Sequence, residues 1–219
     1  MTMHHTVPSG SILMQVFRKN TFLVSVCLML AVTGCSRQGI RPVTDNAHQE
    51  LKEIRTPDIL FVPTPQEVVD KMLELAEVKK GDLIYDLGCG DGRIVVTAAK
   101  KYGCRGVGYD IDPQRVIESM ENVKKNEVQK LVRIEQKDIF TLDLSGANVI
   151  TLYLLSSLNV KLIPQLEKLK PGTRIVSHDF DMQGIVTPDT VVTVDTGNYR
   201  EHTIFLWTAP LKKNNVKSQ

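Results

Sequence analysis

The chain has 219 residues, 42% hydrophobic and 24% charged, with 27 lysines and arginines against 25 acids. That composition excludes a disordered or fibrous chain, and the length suits one domain or a little more. A formal charge of +2 gives no electrostatic case for a nucleic-acid partner, and four cysteines are too scattered for a disulfide framework.

The N-terminal stretch differs from the rest. Its first acid is Asp45, and Arg18 and Lys19 precede an apolar run from Thr21 to Val32 that leads into Thr33-Gly34-Cys35. A basic start, a short apolar segment and small residues before a cut read as a secretory leader. The run is too short to cross a bilayer, which takes about 20 residues. Val32-Thr33-Gly34-Cys35 resembles a bacterial lipobox, whose cysteine is lipidated and becomes the new N-terminus; Val32 departs from the usual leucine. The expectation is a leader over 1–35 with translation starting at Met14, a lipid on Cys35, and a polar tether over 36–55. The protein would then be a lipoprotein held by that anchor at the membrane of the bacterial cell envelope. The alternative is an uncleaved N-terminal segment holding it on the cytoplasmic face. Without Arg18 and Lys19 the chain carries 25 bases against 25 acids. Cys89 and Cys104 lack metal-ligand spacing and read as packed thiols, and no metal site is expected.

A domain is expected over 56–210, followed by a solvated polar tail over 211–219 containing Lys212, Lys213 and Lys217. Thr64 and Glu67 have the spacing of a capping box with Pro65 in the first helical position. The helix that follows should bury Val68, Val69, Met72, Leu73 and Ala76 and end at Gly81. Leu83 to Leu87 suits a buried strand. It runs through Asp86 into Gly88-Cys89-Gly90-Asp91-Gly92 and then a helix over Ile94 to Lys101, giving strand, tight turn, helix. Gly88 and Gly90 admit backbone angles closed to other residues and let a ligand approach the main chain. The amides at the start of the next helix point into the same space.

Arg105 to Asp110 reads as a second strand ending in an acid 22 residues after Gly88, which is placed to hold ribose hydroxyls. Pro113 opens a helix to about Asn126, and Leu131 to Glu135 is a third strand ending near Asp138. Val149 to Tyr153 is a fourth. Ser157 to Leu169 is helical in pattern, with Pro164 expected to kink or break it. Arg174 to Ser177 is a fifth strand. Val191 to Val194 and His202 to Trp207 are also strand-like, and the link between them is too short for a helix, so they should pair antiparallel.

Three readings compete for the glycine turn: a dinucleotide oxidoreductase, a site for a nucleoside-bearing methyl donor, and a turn with no ligand. Asp86 counts against the first, because a carboxylate at the strand end would repel a pyrophosphate yet suits an ammonium group. The glycines are also spaced G-x-G-x-G rather than G-x-G-x-x-G.

Five stretches together resemble the class I S-adenosylmethionine-dependent methyltransferases: Asp86 to Gly92, Gly108-Tyr109-Asp110, Lys137 to Phe140, Leu169-Lys170-Pro171-Gly172 and the terminal hairpin. The resemblance covers about residues 60 to 208. It implies an α/β Rossmann-like fold with a seven-stranded, mostly parallel sheet closed by an antiparallel hairpin. It also implies S-adenosylmethionine as cofactor, with Asp86, Gly88, Cys89 and Gly90 at the methionine end, Asp110 on the ribose and Asp138 on the adenine amine. Val62-Pro63-Thr64-Pro65 and Tyr109 resemble a narrower group that includes mitochondrial protein-lysine methyltransferases, which would make Thr64 part of the cofactor wall.

Methyl transfer is an in-line displacement that needs little beyond positioning, although a lysine acceptor must first lose its proton. The stretch after strand four, Thr151 to Leu155, lacks the Asn-Pro-Pro-Tyr signature of methyltransferases acting on adenine or glutamine amides. Tyr153 either lines the methyl channel or packs at the strand end. His178 and Asp179 face the ligand side and are candidate catalytic residues, but adjacent strand residues point to opposite faces, which argues against a direct dyad. The expected acceptor is a protein lysine, with a membrane protein as one candidate. A small-molecule methyltransferase and a binding module that has lost turnover are the alternatives.

Overall fold

The structure is a computed structural model that describes residue 56 and residues 60–197 and 200–214. The leader, Cys35 and the tether lie outside the described residues.

Seven strands form one sheet in the order β3-β2-β1-β4-β5-β7-β6. They are β1 (Leu83–Leu87), β2 (Arg105–Asp110), β3 (Val132–Gln136), β4 (Val149–Leu152), β5 (Arg174–His178), β6 (Thr190–Asp195) and β7 (Glu201–Thr208). The first five are mutually parallel, and β7 runs antiparallel to both β5 and β6. The sheet is therefore the mostly parallel one expected, with its hairpin at one edge. The order reverses direction between β1 and β4, so the carboxyl ends of those strands open a crevice there.

The helices among the described residues are α1 (Gln66–Leu75), α2 (Arg93–Tyr102), α3 (Pro113–Lys125) and α4 (Ser156–Leu166), with a 3-10 turn at Ile139–Thr141. Successive strand residues face opposite sides of the sheet. Ile84, Val149, Val176 and Ile204 pack with the buried faces of α1 and α2, while Ile150, Ile175 and Trp207 pack with Leu162 and Leu166 of α4.

Four local expectations need correction. The capping box does not form: Pro65 is the N-cap of α1, no side chain caps it, and the Pro65 carbonyl accepts the first helical bond from Val69. The Thr64 hydroxyl is engaged by His178 instead. The helix also ends at Leu75 rather than Gly81. Glu77 takes a left-handed φ of 48°, and Val78 N–H donates to the Leu73 carbonyl, which closes a Schellman turn. Pro164 does not break α4, which runs unbroken from Ser156 to Leu166 with Asn159, Leu162, Ile163 and Leu166 on its buried face. Finally, the segment after residue 210 is not wholly a solvated tail. Val186 bridges Lys213, Lys212 pairs with Asp189, and Lys213 pairs with Glu167.

Candidate active site

The carboxyl ends of β1, β2 and β4 enclose a cavity of about 350 Å³, within the range of small-ligand sites. Of the residues expected at the cofactor, Thr64, Asp86, Gly88, Cys89, Asp110 and Asp138 line it. Gly90 is not among the lining residues but shapes the wall. Its φ is +56°, and a Cβ there would overlap the Phe61 ring. Gly88, at φ +77°, leaves its N–H to donate to the Tyr109 carbonyl at 2.8 Å, and Cys89 N–H does the same at 2.9 Å. The turn is thus bound to the end of β2.

Asp86 is the most perturbed acid. Its register partner on β4 is Thr151, whose hydroxyl donates to Oδ1 at 2.7 Å. Oδ2 is buried with no hydrogen-bond partner. Burial raises the carboxyl to about 7, against the lowering effect of Thr151, and the nearby Asp110 and Asp91 push it the same way as burial. A buried acceptor that lacks a donor and belongs to a cavity-lining side chain fits a cationic ammonium.

Asp110 closes β2. Its Oδ2 accepts from Gly90 N–H at 2.8 Å and its Oδ1 from Asp112 N–H at 3.0 Å, while burial raises its pKa. Each oxygen retains acceptor capacity for a hydroxyl. Asp138 caps the 3-10 turn by accepting from Phe140 N–H at 3.0 Å. Cys89 is buried, and burial raises its thiol pKa well up, as expected for a packed, unreactive cysteine.

The wall expected at Thr64 extends over residues 60–64, in which the part of Phe61 was missed. The Phe61 ring lies on Gly90, with the Arg115 guanidinium carbon 4.9 Å from its centroid. Arg93 forks onto Asp91 and donates to the Thr64 carbonyl at 2.8 Å. An aromatic residue just before a proline pair, with arginines in the first turns of α2 and α3, was the available signal.

At the far end, Tyr153, Phe180, Leu155 and Arg200 line the cavity. His178 and Asp179 do not. His178 is fully buried, and its ring stacks on Tyr153 with centroids 3.9 Å apart. Burial lowers its pKa to about 4, although the neighbouring Asp179 works to raise it, so the ring is neutral. The argument from opposite strand faces fails at this pair. β5 ends at His178, and Asp179 adopts a left-handed φ of 59°, which swings its Oδ2 to 3.3 Å from His178 Nε2. His202 was not anticipated. Its Nδ1 lies 2.8 Å from His178 Nε2, and the ligand atoms of His178, Asp179 and His202 all fall within 4.8 Å of one another. A cluster assembled from β5 and β7 leaves no spacing signature in the chain.

Residues 86–190 match the model of the ANTKMT methyltransferase domain. A protein-lysine N-methyltransferase of Saccharolobus islandicus (strain REY15A) is 46% identical over 153 residues, spanning 69% of this chain and 94% of that relative. A lysine N-methyltransferase of Xenopus laevis named for ATP synthase is 28% identical over 64% of the chain, which spans 65% of that protein. Among solved structures, an RNA methyltransferase from Salinibacter ruber in complex with S-adenosyl-L-homocysteine is 50% identical. It covers 72% of this chain and 100% of its own, with a TM-score of 0.65.

Proposed function

The chain belongs to the class I S-adenosylmethionine-dependent methyltransferases, and from that premise we propose that it N-methylates a lysine side chain of a protein. The observation that carries this reading is the 46% identity to a protein-lysine N-methyltransferase of which the chain spans 94%. The enzyme's methyl donor is S-adenosylmethionine, which when bound supplies a sulfonium methyl group for in-line displacement. The residues present fit it: Asp86 Oδ2 for the amino group, Asp110 for the ribose hydroxyls, and Asp138 beside the base.

The acceptor end suits an alkyl amine. Tyr153 and Phe180 offer flat walls, and Leu60, Val62 and Leu155 are exposed at cavity-lining positions. The amine must arrive neutral. Tyr153 stays protonated at neutral pH, since burial raises its pKa, so its hydroxyl holds and orients rather than abstracts. Among the described residues, five aspartates line the cavity against three bases, Arg93, Lys137 and Arg200. That balance suits the cationic donor.

A second reading, RNA as acceptor, is favoured by one observation, the 50% identity to the Salinibacter ruber structure described as an RNA methyltransferase. Tritiated donor incubated with cell extract separates the two. Label that survives nuclease and is recovered as methyl-lysine after acid hydrolysis supports the lysine reading. Label lost to nuclease sinks it.

We also propose that the N-terminal segment places the enzyme at the cell envelope through a lipid on Cys35, where a membrane protein would be a natural acceptor. Palmitate labelling of wild type and Cys35→Ser tests this, and equal labelling overturns it. The uncleaved cytoplasmic-face alternative predicts no labelling and no size change with a lipoprotein signal peptidase inhibitor.

A further inference from the structure

We propose that His202 is a positioning residue for methyl transfer, fixing Tyr153 at the acceptor end of the cavity by way of His178. Tyr153 lines the cavity, whereas His178 and His202 lie behind it, 0% and 4% exposed. The His178 ring is held at both nitrogens, Nδ1 lying 3.2 Å from Thr64 Oγ1 and Nε2 lying 2.8 Å from His202 Nδ1. Tyr153 rests on the face of that ring, the planes 30° apart. A ring pinned at two points cannot pivot, so the aromatic wall resting on it keeps its orientation.

The contacts around Asp179 restrict the tautomers to two arrangements. Asp179 Oδ1 accepts from Thr203 N–H at 2.9 Å, and Oδ2 is tied to the Arg200 guanidinium at 2.8 Å. Oδ2 also lies 3.3 Å from His178 Nε2 and 3.4 Å from His202 Nδ1. Three atoms that can accept thus meet in one triangle, and the 2.8 Å contact between the rings needs one ring hydrogen, from either His202 Nδ1 or His178 Nε2. In the proposed arrangement His178 carries its hydrogen on Nδ1 toward Thr64 and His202 Nδ1–H donates to His178 Nε2, leaning on Asp179. The guanidinium already compensates the carboxylate, so the cluster is a complete hydrogen-bond array rather than a cation site.

His202→Phe and His202→Asn test this in the full chain, because an Asn amide can place a donor near the Nδ1 position and Phe cannot. Expected is a fall in kcat of about tenfold or more for Phe, with KM for S-adenosylmethionine within about twofold, and recovery to within about threefold for Asn. Thermal shift with S-adenosylhomocysteine verifies that each variant folds. If Phe does not fold, His202→Gln replaces it, its amide reaching the Nε2 position instead, and Gln low with Asn high is the supporting pattern. Equal losses in the two variants, or a loss confined to the donor KM, overturn the proposal. So does a stoichiometric divalent ion whose chelation abolishes activity. The kinetic measurement rests on the lysine reading. Imidazole nitrogen NMR on wild type does not, and an Nε2–H tautomer at His178 overturns the proposal by itself. A wild type that methylates no lysine acceptor but shows the proposed tautomers would sink only the lysine reading.

Discussion

Asp86 rises to about 7 because burial strips water from its carboxylate faster than the Thr151 hydroxyl can replace it. A cationic amine at Oδ2 favours the ionised form, so binding S-adenosylmethionine below that pH expels a proton. Affinity should climb as pH rises to about 7 and then level. Calorimetry in buffers of different ionisation heat reads the released proton directly. Asp86→Asn removes a charge-assisted bond of about 1.5–3 kcal/mol, so donor affinity should fall about 10- to 150-fold. The same change should stabilise the unliganded enzyme at pH 8. A folded pKa of about 7 against 3.8 unfolded means the native state holds extra protons between those values. Stability contributed by that group is therefore lost as pH rises through the window, by up to about 4 kcal/mol once both states are ionised. His178 has the opposite sign. Its pKa, lowered to about 4, makes the native state resist protonation, so its contribution is lost as pH falls from about 6.5 toward 4. In Asp86→Asn the larger opposing carboxyl is gone and only Asp110, whose pKa is also raised, still works against His178, so urea midpoints between pH 4 and 7 should climb with pH relative to wild type. A series parallel to wild type would show that Asp86 does not oppose His178.

Helix ends show where residue type misleads about local conformation. Both α1 and α3 close in Schellman turns whose left-handed residue is a glutamate, Glu77 at φ 48° and Glu127 at φ 58°. In each, the next residue donates back into the helix: Val78 N–H to Leu73, and Val128 N–H to Val123. The apolar contacts of Val78 and Val128 with the core hold the turns in place without the glycine that normally marks them. Replacing either glutamate by glycine relieves left-handed strain, which costs about 1–2 kcal/mol, and concedes part of that gain to the freer unfolded chain. Glu77→Gly and Glu127→Gly should each stabilise the protein by about 0.5–1 kcal/mol, a rise in thermal midpoint of about 1–4 °C, additively because the sites are separate. Strands were easier to read than helix ends. A parallel sheet buried on both faces forces apolar-rich runs such as Val149 to Leu152, where only Thr151 is polar, and every strand was visible in the chain to within about two residues. The acids at the ends of β1 and β2 were visible for the same reason, since a charge terminating an apolar run has only the strand end to occupy. Thr64 was misplaced because a hydroxyl three residues before a glutamate has two possible partners, and the competing one, His178, lies 114 residues away.

Across the whole molecule, charge balance bears on which acceptor is engaged. Between residues 56 and 214 the chain carries 22 acids against 20 bases. Several of those bases are already paired with neighbouring acids, among them Arg93 with Asp91, Arg174 with Asp82 and Lys212 with Asp189. A nucleic-acid acceptor would need a basic track along which several phosphates release counterions. Around the cavity, acids outnumber bases and the exposed hydrophobics Leu60, Val62 and Leu155 contribute to the lining. Recognition of a protein segment through apolar contact and a single amine depends only weakly on salt. The logarithm of kcat/KM for the acceptor should therefore change by less than about one unit per tenfold change in salt between 50 and 200 mM. An RNA acceptor held by six phosphates would give a slope of about 4 on the same plot. The two acceptor classes are thus separable by titrating sodium chloride against initial rates with tritiated donor, and a slope near the steeper value would assign the acceptor to nucleic acid.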